Sequence, residues 1–196
     1  QSEDYYMSGK PYKIMIIRPP AEFDSLEFPT GPRVGLPLGP LYLASIFHES
    51  MGYETQILDA LVHTDLKNIH KQSRPIHFGL KIEEIVERVV SFDPDIIGIS
   101  SNFISHYSCT IKTINAIKAK LPDIFLLAGG ADVTADYEKY FDGSPQIDAA
   151  VLGEGEVVMK NIVGRLRNGK NWKNVKGIAF KNKDQIIKTE SQPWIY

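Results

Sequence analysis

Two short segments carry the residue types best suited to grip a ligand. Ser100-Ser101-Asn102 offers two hydroxyls and an amide; Gly129-Gly130-Ala131, continuing to Thr134, offers bare backbone and one more hydroxyl. Twenty-eight residues separate Ser100 from Gly129. Hydroxyls and amides hydrogen-bond heterocycle nitrogens, and glycine lets backbone approach a flat group. This is binding chemistry. A third segment, Gly153-Glu154-Gly155-Glu156, repeats the small-residue theme with two carboxylates. Catalytic or metal-cluster sets are harder to build. Cys109 is the lone cysteine, so neither a disulfide framework nor a thiolate cluster can form within the chain. His48, His63, His70 and His77 show no metal-ligand spacing among themselves, and His106 reads as a solvated loop residue more than as a metal ligand.

The elements around these segments alternate between strand and helix. Lys13–Arg18 reads as a buried strand stopped by Pro19-Pro20, followed by a long Pro/Gly-rich loop to Pro37. An amphipathic helix runs from Leu41 to Met51 and ends at Gly52; a second strand follows, Tyr53–Leu58. Residues 60–78 read as polar and irregular, and Leu80–Phe92 as a helix closed by Asp93-Pro94. Asp95–Ser100 is strand three, Ser105–Leu121 a helix, Ile124–Ala128 strand four, and Ala131–Phe141 a short helix. Ile147–Leu152 is strand five, and a helix runs on to Arg167. Gly177–Thr189 has the pattern of a β-hairpin.

The expected fold is therefore α/β: a flavodoxin-like, Rossmann-like open parallel sheet of five strands, order 2-1-3-4-5, with a C-terminal β-hairpin. Ligands of such sheets lie at the switch point beyond the carboxyl ends of strands one and three. The expected organisation is a polar, disordered or tag-derived start over 1–11, a binding domain over 12–170 and a hairpin connector over 171–196. The chain has 196 residues and a net charge of −2 with scattered basic groups, which speaks against nucleic acid as partner. Its apolar runs are strand-length, so no membrane span is expected, and a reducing cytoplasm fits the single thiol.

Common occupants of this fold find no match. Arg18-Pro19-Pro20 stands where a phosphoacceptor domain needs acidic residues. No GxGxxG follows strand one, no Walker loop is present, and the Ser/Thr-rich loop of FMN binders is missing.

The strand Asp95–Ser100, the 28-residue interval and Leu126–Thr134 resemble the cobalamin-binding domains of the methionine-synthase branch. That branch also has a DxHxxG loop after strand one, whose histidine ligates cobalt; Pro19–Leu38 contains no histidine. A second resemblance accounts for the difference. Arg18-Pro19-Pro20, Gly35–Ala44, Gly52-Tyr53-Glu54, Asp59, Pro94–Ser101, Gly129-Gly130, Gly153–Glu156 and Val175–Ile178 together resemble the amino-terminal domain of cobalamin-dependent radical SAM proteins. The resemblance covers about residues 13–190. It implies a cobalamin held without a protein imidazole. It also implies a parent chain whose barrel domain binds S-adenosylmethionine and a [4Fe–4S] cluster through CxxxCxxC, a motif this sequence lacks. In many such parents a methyl group passes from S-adenosylmethionine to a substrate through the corrinoid. This chain alone is expected to bind and not to catalyse.

The site residues so implied are Leu36, Pro37 and Leu38, covering the lower cobalt face, and Ser100, Ser101, Asn102, Gly129, Gly130, Ala131, Thr134, Gly153, Glu154 and Gly155, around the nucleotide tail. Each has a plainer use. Ser100-Ser101 could cap a helix, the glycines could be ordinary turns, and Glu156 could answer a helix dipole. The rival functions are a stand-alone corrinoid carrier or sensor, and a flavodoxin-like nucleotide-binding or interaction domain.

Overall fold

In a computed structural model the described residues are 11–24, 34–51, 53–63 and 74–193. Expectations for 1–10, 25–33, the helix end at Gly52, 64–73 and 194–196 lie outside them.

Strands β1 (Lys13–Arg18), β3 (Glu54–Asp59), β5 (Ile96–Ser100), β6 (Phe125–Gly129) and β7 (Ala149–Val151) form a parallel core in the order β3-β1-β5-β6-β7. Counting only these five, the order is the expected 2-1-3-4-5. The hairpin β8 (Ile178–Asn182) and β9 (Gln185–Lys188) adds to the same sheet, β8 running antiparallel to β7. The sheet thus has seven strands, and the hairpin is hydrogen-bonded into it.

Both faces of the sheet are covered at its centre, which is why the inner strands β1, β5, β6 and β7 read as apolar runs. Alternate residues serve opposite layers. Met15, Ile17, Ile97, Ile99, Leu126 and Ala128 pack toward α2 (Ile82–Phe92), α3 (Ile104–Lys120) and α5 (Tyr137–Gly143). Ile14, Ile16, Ile96 and Leu127 pack toward α1 (Leu38–Met51) and α6 (Gly155–Arg167) through Phe47, Val158, Met159 and Ile162.

Four details depart from expectation. Beyond Pro19-Pro20 the chain makes β2 (Ala21–Phe23), which pairs antiparallel with β4 (Ile76–Phe78) inside the supposedly irregular 60–78 stretch. Ala21, Ile76, Phe78 and Leu61 bury together there, giving this small sheet its own apolar floor. A 3₁₀ turn at Ala60–His63 leads toward it. Helix α1 begins at Leu38, with Pro40 in its first turn, where a missing N–H leaves no bond unmade. The expected helix over 131–141 is two: α4 (Ala131–Ala135) and α5, divided at Asp136, whose carboxylate accepts from the Lys139 N–H.

Candidate functional site

A cleft of about 510 Å³ opens at the carboxyl edge of the sheet between its α1/α6 face and those helices. Ile16, Gly98, Leu127, Gly129 and Val151 form its sheet side, and Gly39, Leu43, Gly155, Glu156 and Met159 its helical side. Two glycines create it. In strand alternation Gly98 and Gly129 share the face of Ile96 and Leu127, where core side chains would otherwise stand. A Cβ on Gly98 would come within 3.3 Å of Met159, and one on Gly129 within 3.3 Å of Val151. Strand glycines mark such close approaches. Gly98 was readable in Ile96-Ile97-Gly98-Ile99 by that rule, yet the motif reading passed over it.

Of the residues implied by sequence, Ser100, Asn102, Gly129, Gly130, Ala131, Thr134, Gly153, Glu154 and Gly155 line this cleft. They belong to three loops that are bonded to one another. The Ser101 N–H donates to the Gly129 carbonyl at 2.8 Å. The Ala131 N–H donates to Asn102 Oδ1 at 3.2 Å, and Asn102 Nδ2 to Ser100 Oγ at 3.3 Å. The Gly153 N–H donates to Thr134 Oγ1 at 3.0 Å. Gly130 lies tight against the first loop. Its φ is +113°, and a Cβ there would stand 2.5 Å from the Ser101 carbonyl oxygen.

Ser101 departs from its expected place. It is fully buried, with Oγ 2.8 Å from the Tyr140 hydroxyl, on the α3/α5 side away from the cleft. Tyr140 in turn donates to Asp132, so Ser101 is the donor to Tyr140. Burial and the Asp132 carboxylate push the phenol up, keeping that proton in place. Ser101 therefore braces the loop from behind.

Leu36, Pro37 and Leu38 also lie outside the cleft lining, immediately before Gly39 at its rim, with Leu36 and Leu38 largely exposed. Their segment is anchored by Arg18, at the end of β1, which donates to the Gly35 carbonyl at 2.7 Å and pairs with Asp59 at 3.2 Å. The pair is nearly buried and spans the ends of β1 and β3. The cleft is thus centred on β5, β6 and β7, displaced from the β1/β5 switch point.

No histidine lines the cleft among the described residues. His106, in the first turn of α3, is buried with Nδ1 unpaired. Burial first, then the nearby Arg18, pull it down to about 4, so it is neutral at pH 7.

The family model described as "B12 binding domain" matches residues 32–163, two thirds of the chain. The chain belongs to the B12-binding domain family. Curated relatives of this B12-binding domain include the uncharacterized methyltransferase PH0819 of Pyrococcus horikoshii, 30% identical over 95% of this chain and 36% of its own length. Another is the cytidylyl-2-hydroxyethylphosphonate methyltransferase of Streptomyces wedmorensis, 28% identical over 94% of this chain and 35% of its own length. The chain spans about a third of the length of these relatives. Its fold is that of a domain in two cobalamin-dependent enzymes of known structure. The radical SAM enzyme OxsB, solved with aqua-cobalamin and S-adenosylmethionine, matches at TM-score 0.67 and 18% identity, over 94% of this chain and 22% of that one. The methyltransferase TsrM of Kitasatospora setae, solved with cobalamin and a [4Fe–4S] cluster, matches at TM-score 0.66 and 12% identity, over 95% and 30%. No described helix of the B12-binding domain is long and apolar enough to cross a membrane.

Proposed function

We propose that this domain holds cobalamin in the glycine-made cleft, as the cofactor-binding part of a larger radical SAM protein of the methyltransferase kind. The observation that carries this reading is the cleft itself: Gly98 and Gly129 open it on one sheet face, inside the segment matched by the family.

The residues fit such a cofactor. A volume of about 510 Å³ suits a flat heterocycle with its sugar. Apolar walls from Ile16, Leu127, Val151 and Met159 suit an aromatic ring. Ser100 Oγ already accepts from Asn102, and its own proton can donate to a ring nitrogen. Gly129, Gly130 and Ala131 present backbone at contact distance, and Thr134, Gly153, Glu154 and Gly155 close the far side. Leu36, Pro37 and Leu38 would meet the corrin at the rim, offering an apolar surface and no ligand. When bound, the corrinoid supplies a cobalt centre that can relay a methyl group. The chain's part is to position it and exclude water.

The remaining parts of the reading concern the parent chain. A barrel holding S-adenosylmethionine and a [4Fe–4S] cluster would follow the binding domain over 12–170 and the connector over 171–196, in a reducing, cytoplasmic setting. Support comes from the relatives' methyltransferase names and from their greater length.

The test is direct. The chain is mixed with hydroxocobalamin, desalted, and its absorption spectrum recorded. Near-stoichiometric co-elution of the corrin is expected, with loss of binding in Gly129→Trp, whose indole would fill the cleft. A chain with native circular dichroism that elutes free of corrin refutes the reading.

A further inference from the structure

We propose that Glu22, His77 and Cys109 form a transition-metal site of the zinc class, separate from the cleft and beyond the cobalamin reading. Glu22 and His77 are register partners across the small β2–β4 sheet, and Cys109 lies on α3. One donor atom from each stands within 4.8 Å of the other two, with Cys109 Sγ 4.0 Å from His77 Nδ1.

The histidine is oriented as a ligand would be. His77 Nε2 is 2.8 Å from the Leu80 carbonyl oxygen. That oxygen can only accept, so Nε2 carries the proton and Nδ1 turns its lone pair toward Cys109. A ring nitrogen fixed by a backbone carbonyl is the usual outer support of a metal-binding imidazole. The donor set of one imidazole, one thiol and one carboxylate suits Zn²⁺, with water as a fourth ligand. Donors of one zinc tetrahedron stand roughly 3.3–3.8 Å apart, given bonds of about 2.0–2.3 Å. Small side-chain rotations close that gap.

Lys112 now supplies the positive charge, with Nζ 2.6 Å from Glu22 Oε1. Its side chain is 55% exposed and can turn to solvent when a cation arrives. Cys109 is buried and faces Glu22, which together push its thiol up to about 12, with Lys112 opposing. Binding then forms a metal–sulfur bond, breaks the S–H bond and releases one proton to solvent, with no change of oxidation state. The ion would tie β2 and β4 to α3, the helix that leaves the Ser100–Asn102 loop.

The experiment uses chelator-treated, cofactor-free chain titrated with Co²⁺ as a spectroscopic probe. One equivalent is expected to give a thiolate-to-cobalt charge-transfer band with release of about one proton per cobalt, and Zn²⁺ should then remove the band with no further proton release. Cys109→Ser should abolish the band, and His77→Gln should weaken binding at least tenfold. Lys112→Ala should tighten it about two- to fivefold by removing the competing cation. A purely structural role for these residues predicts no such gain. No band in a folded chain, or an unchanged affinity in both His77→Gln and Lys112→Ala, overturns the proposal, even if Cys109→Ser fails to fold.

Discussion

Gly130→Ala is a one-methyl change with a large expected consequence. The residue has φ +113° and ψ 177°, a region open essentially to glycine alone, where another residue costs about 1–3 kcal/mol. The new Cβ would sit 2.5 Å from the Ser101 carbonyl oxygen and 2.6 Å from Asn102 Oδ1. Neither can retreat freely. Asn102 Oδ1 holds the Ala131 N–H, and Ser101 is tied to the Gly129 carbonyl. Losing one or both bonds adds about 0.5–1.5 kcal/mol each. The sum is about 1.5–6 kcal/mol, a large share of the roughly 5–15 kcal/mol that holds a domain together. Urea unfolding measures it by circular dichroism and by the fluorescence of Trp172, which packs at 5.0 Å from Phe125. Corrinoid co-elution should fall in parallel. Gly155→Ala is the matched control. Its Cβ would meet nothing nearer than Leu43 at 3.7 Å, so the change in stability should stay within about 0.5 kcal/mol. Equal unfolding midpoints for the two variants would show that the loops yield, and would refute the interlock.

Asp59→Ala should destabilise the domain by about 3–5 kcal/mol, because it leaves Arg18 nearly buried without its counter-charge. Arg18→Met combined with Asp59→Leu should recover at least half of that in a denaturant double-mutant cycle. Acid should weaken the fold through His106. Its folded pKa of about 4 lies below the ordinary 6.5, so between these values the unfolded chain binds the extra proton. Stability is full above about pH 6.5 and falls by about 3 kcal/mol as pH drops toward 4. Urea midpoints against pH should lose that component in His106→Phe. Ser101→Ala and Tyr140→Phe should each cost about 1–2 kcal/mol, with the double variant costing less than their sum, since both remove the same buried hydrogen bond.

The parallel core was legible because four of its five strands, all but the edge strand β3, are apolar runs. Right-handed crossovers left few orders for it, of which the flavodoxin-like 2-1-3-4-5 was the expected one. The β2–β4 sheet was not legible. Its strands have three residues each, too short for any periodicity to register, and β2 sits behind a Pro-Pro pair that signals a stop. What stabilises it is tertiary: Ala21, Ile76, Phe78 and Leu61 meet only after the chain has folded back. The division at Asp136 was missed for another reason. The apolar positions Val133, Tyr140 and Phe141 are all buried and fit one helix, and only the capping carboxylate betrays two.

The site was legible in its loops and not in its walls. The 28 residues between Ser100 and Gly129 prove to be a three-residue loop, the 17-residue α3, a four-residue turn and the first four residues of β6. Ser100 then pairs in register with Gly129. That interval is the length a helix needs to return the chain to a neighbouring parallel strand, so any crossover of this size would give it. The spacing brings the two loops together but does not say what they hold. Specific information lies in smaller features. Gly98 and Gly129 empty one face of the sheet, and Gly130 admits the Asn102 side chain that links the loops. Ser101 illustrates the converse. By type and position it matched the ligand-facing serine, yet in a strand-to-helix loop adjacent residues turn to opposite sides. Only Ser100 can face the cleft while Ser101 faces Tyr140. The pair of serines is therefore divided between the cleft and a brace behind it, and the strand's inside–outside alternation decides which is which.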